Sequence, residues 1–427
     1  MIQLVEKDEN TTRTYVQQLK QRCDEKDRKV DAIVADILEN VRNNGDKAVA
    51  EYTLKFDGSI PEQVEITKEQ MKELIKQCDA YFLEALERAA KNIHEFHSRQ
   101  KQQSWLDTKD NGVILGQRVR GLAKVGIYVP GGTAAYPSSV LMNAIPAKIA
   151  GVQEIVMVTP PGNGKPNPDI MAAALVAGVD RVFLVGGAQA VAALAYGTET
   201  MPKVDKIVGP GNIFVATAKK HLYGTVDIDM IAGPSEILIV ADETANPKYL
   251  AADLMSQAEH DVLASAILLT TSSKIAEETI AQIYEQVERL ERKDIINKSL
   301  DDFGAVIVCD TMDEAIEFAN DLAPEHLEVC VANPLEYIGR LDNAGSLFLG
   351  NYSPEPLGDY YAGPNHVLPT SGTARFFSPL SVDSFIKKSS FIYYTQDALK
   401  AAKDDIVALA EAEGLTAHAN SIKVRSE

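Results

Sequence analysis

Residues 181–196 read RVFLVGGAQAVAALAY, an apolar run that passes through two glycines into an alanine-rich segment. Residues 181–185 are typical of a short buried strand, and residues 188–196 are typical of a buried helix. A strand, a tight glycine turn and a returning helix form the repeating unit of a parallel β-sheet. This stretch therefore predicts an α/β fold.

The same alternation extends on both sides of this stretch. We predict further strands at 154–158, 206–208, 264–270, 305–309, 327–331 and 346–349, and helices at 139–150, 168–177, 273–290 and 312–322. Short apolar strands that alternate with helices indicate βαβ units. The predicted fold class is α/β, with two incomplete Rossmann-like parallel-sheet modules, one inserted in the other, and with helical N-terminal and C-terminal extensions.

The composition excludes several classes of function. The chain has 427 residues, with 42 Lys and Arg against 61 Asp and Glu, so its formal net charge is −19. Such an acidic chain is poorly suited to bind nucleic acid or an anionic membrane surface.

The first residues become charged at once, and the most apolar stretch, 182–196, is shorter than the roughly 20 residues that span a bilayer. The four cysteines form no CxxC pair, which favours reduced thiols. We expect a cytoplasmic protein with no nucleic-acid or membrane partner.

Three glycine-rich turns follow predicted strands, at 128–132, 185–189 and 208–212. Glycines allow backbone N–H groups to approach a phosphate closely, so three such turns in one module are a plausible nucleotide cradle. None of them is a complete GxGxxG motif, and tight turns without a ligand remain the alternative for each.

Four short segments collect polar groups that can bind a metal or catalyse a reaction: 256–261, 323–327, 357–366 and 411–418. In the first, at the end of a predicted helix, Gln257 and His260 share a face. Each segment holds one of the chain's seven histidines, and nitrogen and oxygen donors suit zinc, manganese or another borderline divalent ion. Structural roles for these histidines remain the alternative. His94, His97 and His221, on polar helical stretches, are expected at the surface.

Taken in order, eight motifs of this chain resemble those of the histidinol dehydrogenase family. They are YVPGG at 128–132, GPGN at 209–212, AGPSE at 232–236, SQAEH at 256–260, APEHL at 323–327, GDY at 358–360, GPNHVLPT at 363–370 and EGLTAH at 413–418. The resemblance extends from about residue 121 to residue 418. It implies a homodimeric enzyme that oxidises L-histidinol to L-histidine through L-histidinaldehyde, the final step of histidine biosynthesis, with two NAD and one zinc ion per subunit.

The resemblance also implies the residues of the site. The implied zinc ligands are Gln257, His260, Asp359 and His418. The implied NAD contacts are Tyr128, Gln189 and Asn212, and they fall on the three glycine-rich turns or beside them. The implied substrate contacts are Ser235, His326 and Glu413, together with the zinc ligands Gln257, His260, Asp359 and His418. In the family, the C-terminal tail of one subunit reaches the site of the other, so we expect Glu413 and His418 to serve the partner subunit.

The chemistry needs a base for the alcohol proton and a second group to activate water for the aldehyde step. An imidazole is the natural base near neutral pH, so His326 is the candidate, and Glu325 beside it is the candidate for water activation. Two rival functions remain open. One is a related enzyme of the same fold that uses NAD and zinc to oxidise another small alcohol, such as a sulfonated diol. The other is a non-catalytic nucleotide-binding protein.

The predicted domains follow from these assignments. Residues 1–24 form an N-terminal helical extension, and residues 128–235 form an NAD-binding α/β domain. Residues 25–127 with 236–378 form a discontinuous α/β domain that carries most of the zinc and catalytic residues. Residues 379–427 form the tail that reaches the partner subunit.

Overall fold

The structure is a computed structural model that describes residues 2–6, 11–21, 27–131, 136–162 and 164–426. Its strands, in chain order, are β1 Gln3–Glu6, β2 Glu65–Ile66, β3 Trp105–Thr108, β4 Ile114–Gly121, β5 Lys124–Tyr128, β6 Glu154–Thr159, β7 Arg181–Leu184, β8 Lys206–Val208, β9 Asp227–Ile228, β10 Glu236–Ala241, β11 Ser265–Thr270, β12 Gly304–Val308, β13 His326–Cys330, β14 Ser346–Leu349 and β15 Ile386–Tyr393.

The described residues also form fifteen α-helices and several short 3-10 helices. In chain order, the α-helices are α1 Thr11–Gln21, α2 Asp27–Asp57, α3 Lys68–Leu74, α4 Ala80–Ser98, α5 Pro137–Ala150, α6 Pro168–Val176, α7 Gly187–Tyr196, α8 Ile213–Leu222, α9 Pro247–Ala258, α10 Ser273–Val287, α11 Lys293–Phe303, α12 Met312–Leu322, α13 Glu355–Tyr360, α14 Gln396–Ala412 and α15 Thr416–Lys423. No helix in the described part of the chain is long and apolar enough to cross a membrane.

The first large sheet has six strands in the order β2-β7-β6-β5-β8-β9. Strands β5 to β9 are parallel, and β2 joins the edge in the antiparallel direction. After the edge strand β2, the chain enters the centre of the sheet with β5, adds β6 and β7 on one side, and then returns to add β8 and β9 on the other. At such a reversal the loops after the two central strands diverge, and a crevice opens beyond their carboxyl ends.

The second large sheet repeats this topology in the order β1-β12-β11-β10-β13-β14, with all strands parallel. Its central strand β10 again has the next two strands on one side and the last two on the other. The predicted α/β fold with parallel sheets is therefore confirmed. The N-terminal segment differs from the helical extension that we predicted, because Gln3–Glu6 pairs with residues 305–308 as an edge strand before α1 begins.

The long helix α2 packs against the first sheet. Its buried residues Val34, Ile37 and Val41 share a core with Phe183 of β7, and Ile93 of α4 joins the core on the other face. These contacts place residues 27–98 with the first large sheet. Our predicted domains had instead placed residues 25–127 with the second large sheet. The difference arises because an amphipathic helix shows which face it buries but not which sheet covers that face.

A third, antiparallel sheet has the order β15-β4-β3 and was not predicted. Strand β15 pairs with β4 along its whole length, from Ile386 opposite Gly121 to Tyr393 opposite Ile114. The predicted C-terminal helix follows as α14, and α15 packs against it.

Candidate active site

A cavity of about 350 Å³ lies where the two large sheets meet. The first sheet contributes the loop after β8, which includes Gly209 and Asn212. The second sheet contributes residues at the beginning of its strands: Ser235 precedes β10, and His326 begins β13. The cavity therefore joins the carboxyl end of one parallel sheet to the amino end of the other.

Glu325 and His326 both line this cavity and are both buried. The ring Nδ1 of His326 donates to the carbonyl oxygen of Glu236 at 3.0 Å, and the carboxylate of Glu325 accepts from the N–H of Glu236 at 2.9 Å. Neighbouring residues of a regular strand point to opposite faces. Here Glu325 lies just before the strand, after Ala323 in the left-handed region with φ 52°, so both side chains can reach the same space.

The electrostatics of this pair are set by burial and by nearby carboxylates. Burial raises the pKa of Glu325 to about 7, against the opposing effect of His326. Burial lowers the pKa of His326, but the charges of Glu325, Asp359 and Glu355 outweigh it and raise the pKa to about 10. The Nε2 atom of His326 is buried without a hydrogen-bond partner in the described chain, 3.8 Å from Glu355 and 3.9 Å from Asp359.

His326, Glu355 and Asp359 form a candidate metal site, since one ligand atom from each lies within 4.8 Å of the others. Asp359 lies on the short helix α13, four residues after Glu355 on the same face. Gln257, at the end of α9, is 1% exposed, and its Oε1 has no hydrogen-bond partner among the described residues. Sequence reasoning missed Glu355, whose carboxylate only the packing brings beside His326.

Three of the four predicted zinc ligands, Gln257, His260 and Asp359, line the cavity together with the predicted substrate contact Ser235. His260 lies at the rim and is exposed, whereas Gln257 is buried. Glu413 and His418 do not line it: Glu413 caps the C-terminal end of α14, His418 lies on α15, and both are exposed.

A second cavity, of about 510 Å³, adjoins the first beyond the carboxyl ends of β5 and β7. It is lined by all three predicted NAD contacts, namely Tyr128, Gln189 and Asn212. The hydroxyl of Tyr128 accepts from the N–H of Gly187 at 3.1 Å, at the start of α7. Gln189 is 1% exposed, and its Oε1 has no partner in the described chain. Gly132 of the first predicted turn lies outside the described residues.

A buried ion pair that sequence reasoning missed supports the loop after β8. Lys219 of α8 pairs with Asp229, and both side chains are almost completely buried. Lys219 also donates to the carbonyl oxygen of Gly209 at 3.0 Å, and Asp229 accepts from the N–H of Gly209 at 2.8 Å. Gly209 has φ +106°, and a Cβ there would overlap the carbonyl oxygen of Tyr128. The sequence carries little signal for this pair, since Lys219 stands beside Lys220 and His221, between Ala218 and Leu222.

The locations of the remaining histidines agree only in part with the prediction. His366 lines the active-site cavity, and its Nδ1 donates to the carbonyl oxygen of Asp359 at 3.0 Å. The surface location predicted for His97 is wrong, because its ring is completely buried and its Nδ1 lies 2.7 Å from Oε1 of Gln100. His94 and His221 are both exposed as predicted, and His221 lies beside Asp31 at 2.9 Å.

Two parallel sheets of the same strand order, with a buried histidine–carboxylate site between them, define the class: an α/β enzyme with its site at a sheet junction. A sequence model of the family described as histidinol dehydrogenase matches residues 20–426. The chain belongs to the histidinol dehydrogenase family and is an oxidoreductase.

Individual relatives agree with this assignment. The chain is 61% identical over 412 residues to histidinol dehydrogenase of Clostridium acetobutylicum, with 96% of each chain covered. It is 59% identical over 394 residues to that of Caldanaerobacter subterraneus, covering 92% of this chain and 91% of the relative. The crystal structure of histidinol dehydrogenase from Elizabethkingia anophelis matches with a TM-score of 0.93 at 39% identity, covering 99% of this chain and 98% of that one.

Proposed function

We propose that this protein oxidises L-histidinol to L-histidine through L-histidinaldehyde, with two NAD per histidinol, as the final step of histidine biosynthesis in the cytoplasm. Family membership supports the substrate. The observation that carries the proposal is the placement of Glu325 and His326 in one cavity that adjoins a second cavity of dinucleotide type. A buried base and a buried carboxyl beside a cofactor cleft are what two successive oxidations of one carbon require.

The acid–base work belongs to His326 and Glu325. With Nδ1 bonded to Glu236, His326 presents Nε2 to the cavity. Against the lowering effect of burial, the nearby carboxylates raise the pKa of the ring to about 10. The ring therefore takes the proton of the substrate hydroxyl in its neutral form, which is favoured when a bound cation offsets the charge of Asp359. Glu325 has a pKa raised to about 7 by burial, so it can accept a proton from the water that adds to the aldehyde. Glu325 and His326 are themselves buried from bulk water, which favours retention of the aldehyde between the two oxidations.

The donor set fits one zinc ion per subunit. Gln257 has a buried carbonyl oxygen without a partner among the described residues, and His260 and Asp359 add nitrogen and oxygen donors in the same cavity. We propose that these three residues hold the metal together with His418. When bound, zinc would supply a Lewis-acid anchor that orients the amino and imidazole nitrogens of the substrate.

The second cavity fits the dinucleotide. Gly186, the N-cap residue of α7, has no side chain that could bond the first-turn N–H groups, and Gly187 donates its N–H to Tyr128. The other N–H groups of this first turn can attract a phosphate. Gln189 adds an unpartnered acceptor for a ligand donor. NAD would supply the hydride acceptor for each oxidation, and Tyr128, Gln189 and Asn212 would position it.

We also propose a homodimer with shared active sites. Glu413 and His418 are exposed on the C-terminal helices and line neither cavity, so a second subunit is the natural place for them to act. The C-terminal tail also exposes apolar side chains: Ile392 of β15 is 74% exposed, and Leu409 of α14 is 69% exposed. Exposed apolar surface of this kind favours association.

The test is an anaerobic count of NADH formed per L-histidinol consumed, before and after treatment with a chelator. Two NADH per histidinol, lost on chelation and restored by zinc, are expected. Tightly bound zinc without NADH formation from histidinol would overturn the substrate assignment and favour an enzyme for another alcohol. Full turnover after complete metal removal would overturn the zinc assignment.

A further inference from the structure

The dinucleotide-type cavity has a near end and a far end relative to the active site. Pro130, Tyr136 and Asn212 line both cavities and so form the junction. Phe56 and Asp57 line only the second cavity. In the function proposed above, on which this inference rests, the nicotinamide must reach the substrate beside His326. The far end is therefore left for the adenosine half of NAD.

Asp57 contributes one carboxylate oxygen without a partner to the part of the second cavity that lies outside the first. It is the last residue of α2, and the following Gly58 ends the helix with φ +76°. The Oδ2 atom of Asp57 is buried and has no hydrogen-bond partner in the described chain, and Asp57 forms no ion pair with a described residue. Burial raises the pKa of this carboxyl. A buried acceptor without a donor is unfavourable, so a ligand that brings a donor gains affinity.

The charges around Asp57 favour a neutral donor over a phosphate. None of the described residues that line this cavity is Lys, Arg or His. Residues 132–135, whose placement is not described, are Gly, Thr, Ala and Ala and carry no charge either. A phosphate group beside Asp57 would therefore meet its negative charge without a cation in the described lining of the cavity; Lys55 lies outside that lining, with its Nζ 5.5 Å from the centre of the Phe56 ring.

We propose that Asp57 accepts hydrogen bonds from the vicinal hydroxyls of the adenosine ribose and makes the site selective for NAD over NADP. The apolar side chains of Ile37, Phe56 and Phe214, which line the same cavity, offer a surface for the adenine ring. An acidic side chain near the adenosine ribose is a general means of binding its hydroxyls, and NADP carries a phosphate on one of them.

The test measures equilibrium binding of NAD and NADP by titration calorimetry, independently of turnover. The wild type is expected to bind NAD at least about 100-fold more tightly than NADP. Asp57→Asn should lower this ratio of the NADP and NAD dissociation constants by roughly 10-fold or more. Glu51→Gln is the matched control, because it removes one negative charge from an exposed position on the same helix. It should leave the ratio unchanged.

The outcomes separate this inference from the proposed function. Binding of neither dinucleotide to the wild type would overturn the proposed function itself. Binding of NAD with a ratio that Asp57→Asn leaves unchanged would overturn only the role of Asp57. A second measurement uses the wild type alone, in case the variant does not fold. NAD that lacks the adenosine 2′-hydroxyl should bind roughly 10-fold more weakly, and equal affinity would overturn the inference.

Discussion

Nδ1 of His326 donates a hydrogen bond to the main-chain carbonyl oxygen of Glu236, at 3.0 Å. Since a carbonyl oxygen can only accept, Nδ1 carries the proton, and in the neutral ring Nε2 has the free lone pair. The two residues begin neighbouring parallel strands, where Ile237 pairs with His326. The tautomer of the candidate base is therefore determined by the pairing of β10 with β13.

Replacing His326 with Gln should lower kcat for histidinol oxidation by about 10²- to 10⁴-fold, because the variant lacks the base. The affinity for NADH, measured by fluorescence, should remain within a few fold. His94→Gln, at an exposed position, is the control and should be fully active. A decrease of less than tenfold would mean that another group takes the proton.

Replacing Glu325 with Gln should impair the second oxidation more than the first. The amide oxygen of Gln can still accept from the N–H of Glu236, so the fold should be retained, but the side chain can no longer accept a proton from water. In rapid-mixing experiments we expect one NADH per histidinol in a fast phase and the second about 10²-fold more slowly. Equal slowing of both phases would contradict the assignment to water activation.

Replacing Asp229 with Asn should lower the free energy of unfolding by about 3 kcal/mol, because it leaves the buried Lys219 without its counter-charge. The control, Asp302→Asn, disrupts the exposed pair with Lys298 at 2.9 Å and should change stability by less than about 1 kcal/mol. Urea denaturation of both variants gives the comparison. If both variants lost the same free energy of unfolding, the buried pair would not stabilise the loop around Gly209.

A pair of buried carboxyl groups behind the site predicts a pH dependence of stability. Burial raises the pKa of Asp253 to about 6, and burial and the charge of Asp253 raise the pKa of Glu328 above its usual range. Raised carboxyl pKa values mean that the folded state binds more protons than the unfolded state. The pair's contribution to stability is therefore present at low pH and is lost as the pH rises through 6 and above.

Glu328→Gln should remove much of this pH dependence. The variant's stability relative to the wild type should be higher at pH 8 than at pH 5 in urea denaturation. Glu277→Gln, at an exposed position of α10, should leave the pH dependence unchanged. A relative stability of Glu328→Gln that is the same at both pH values would contradict the shifted pKa values.

Mixing two inactive variants tests whether the tail acts on the partner subunit. If His418 serves the other subunit, a heterodimer of His326→Gln and His418→Asn contains one site with both residues intact. Random exchange of subunits should then restore about one quarter of wild-type activity. If His418 acts within its own chain, every site lacks one residue and the mixture stays inactive. The two homodimers alone provide the baseline.

Much of the local structure was predictable from the sequence. Helix Met312–Leu322 and strands Lys206–Val208 and Ser346–Leu349 have the predicted limits, because apolar periodicity and the turns that flank it are local properties. The motif resemblance identified Gln257, Asp359 and His326, which line one cavity in the structure. The two-residue strand β2 and the edge strand β1 escaped prediction, since each is stabilised by a strand that is distant in the sequence.

The amino-acid order alone therefore determined which segments form helices and strands, and which side chains are chemically competent. Tertiary packing decided that the carboxyl end of one sheet faces the amino end of the other, and so brought Glu355 beside His326 and Asp57 beside the dinucleotide-type cavity. Such contacts join residues far apart in the chain, and many arrangements of sheets bury the same apolar faces. The choice among them depends on the total packing of the core rather than on any local pattern.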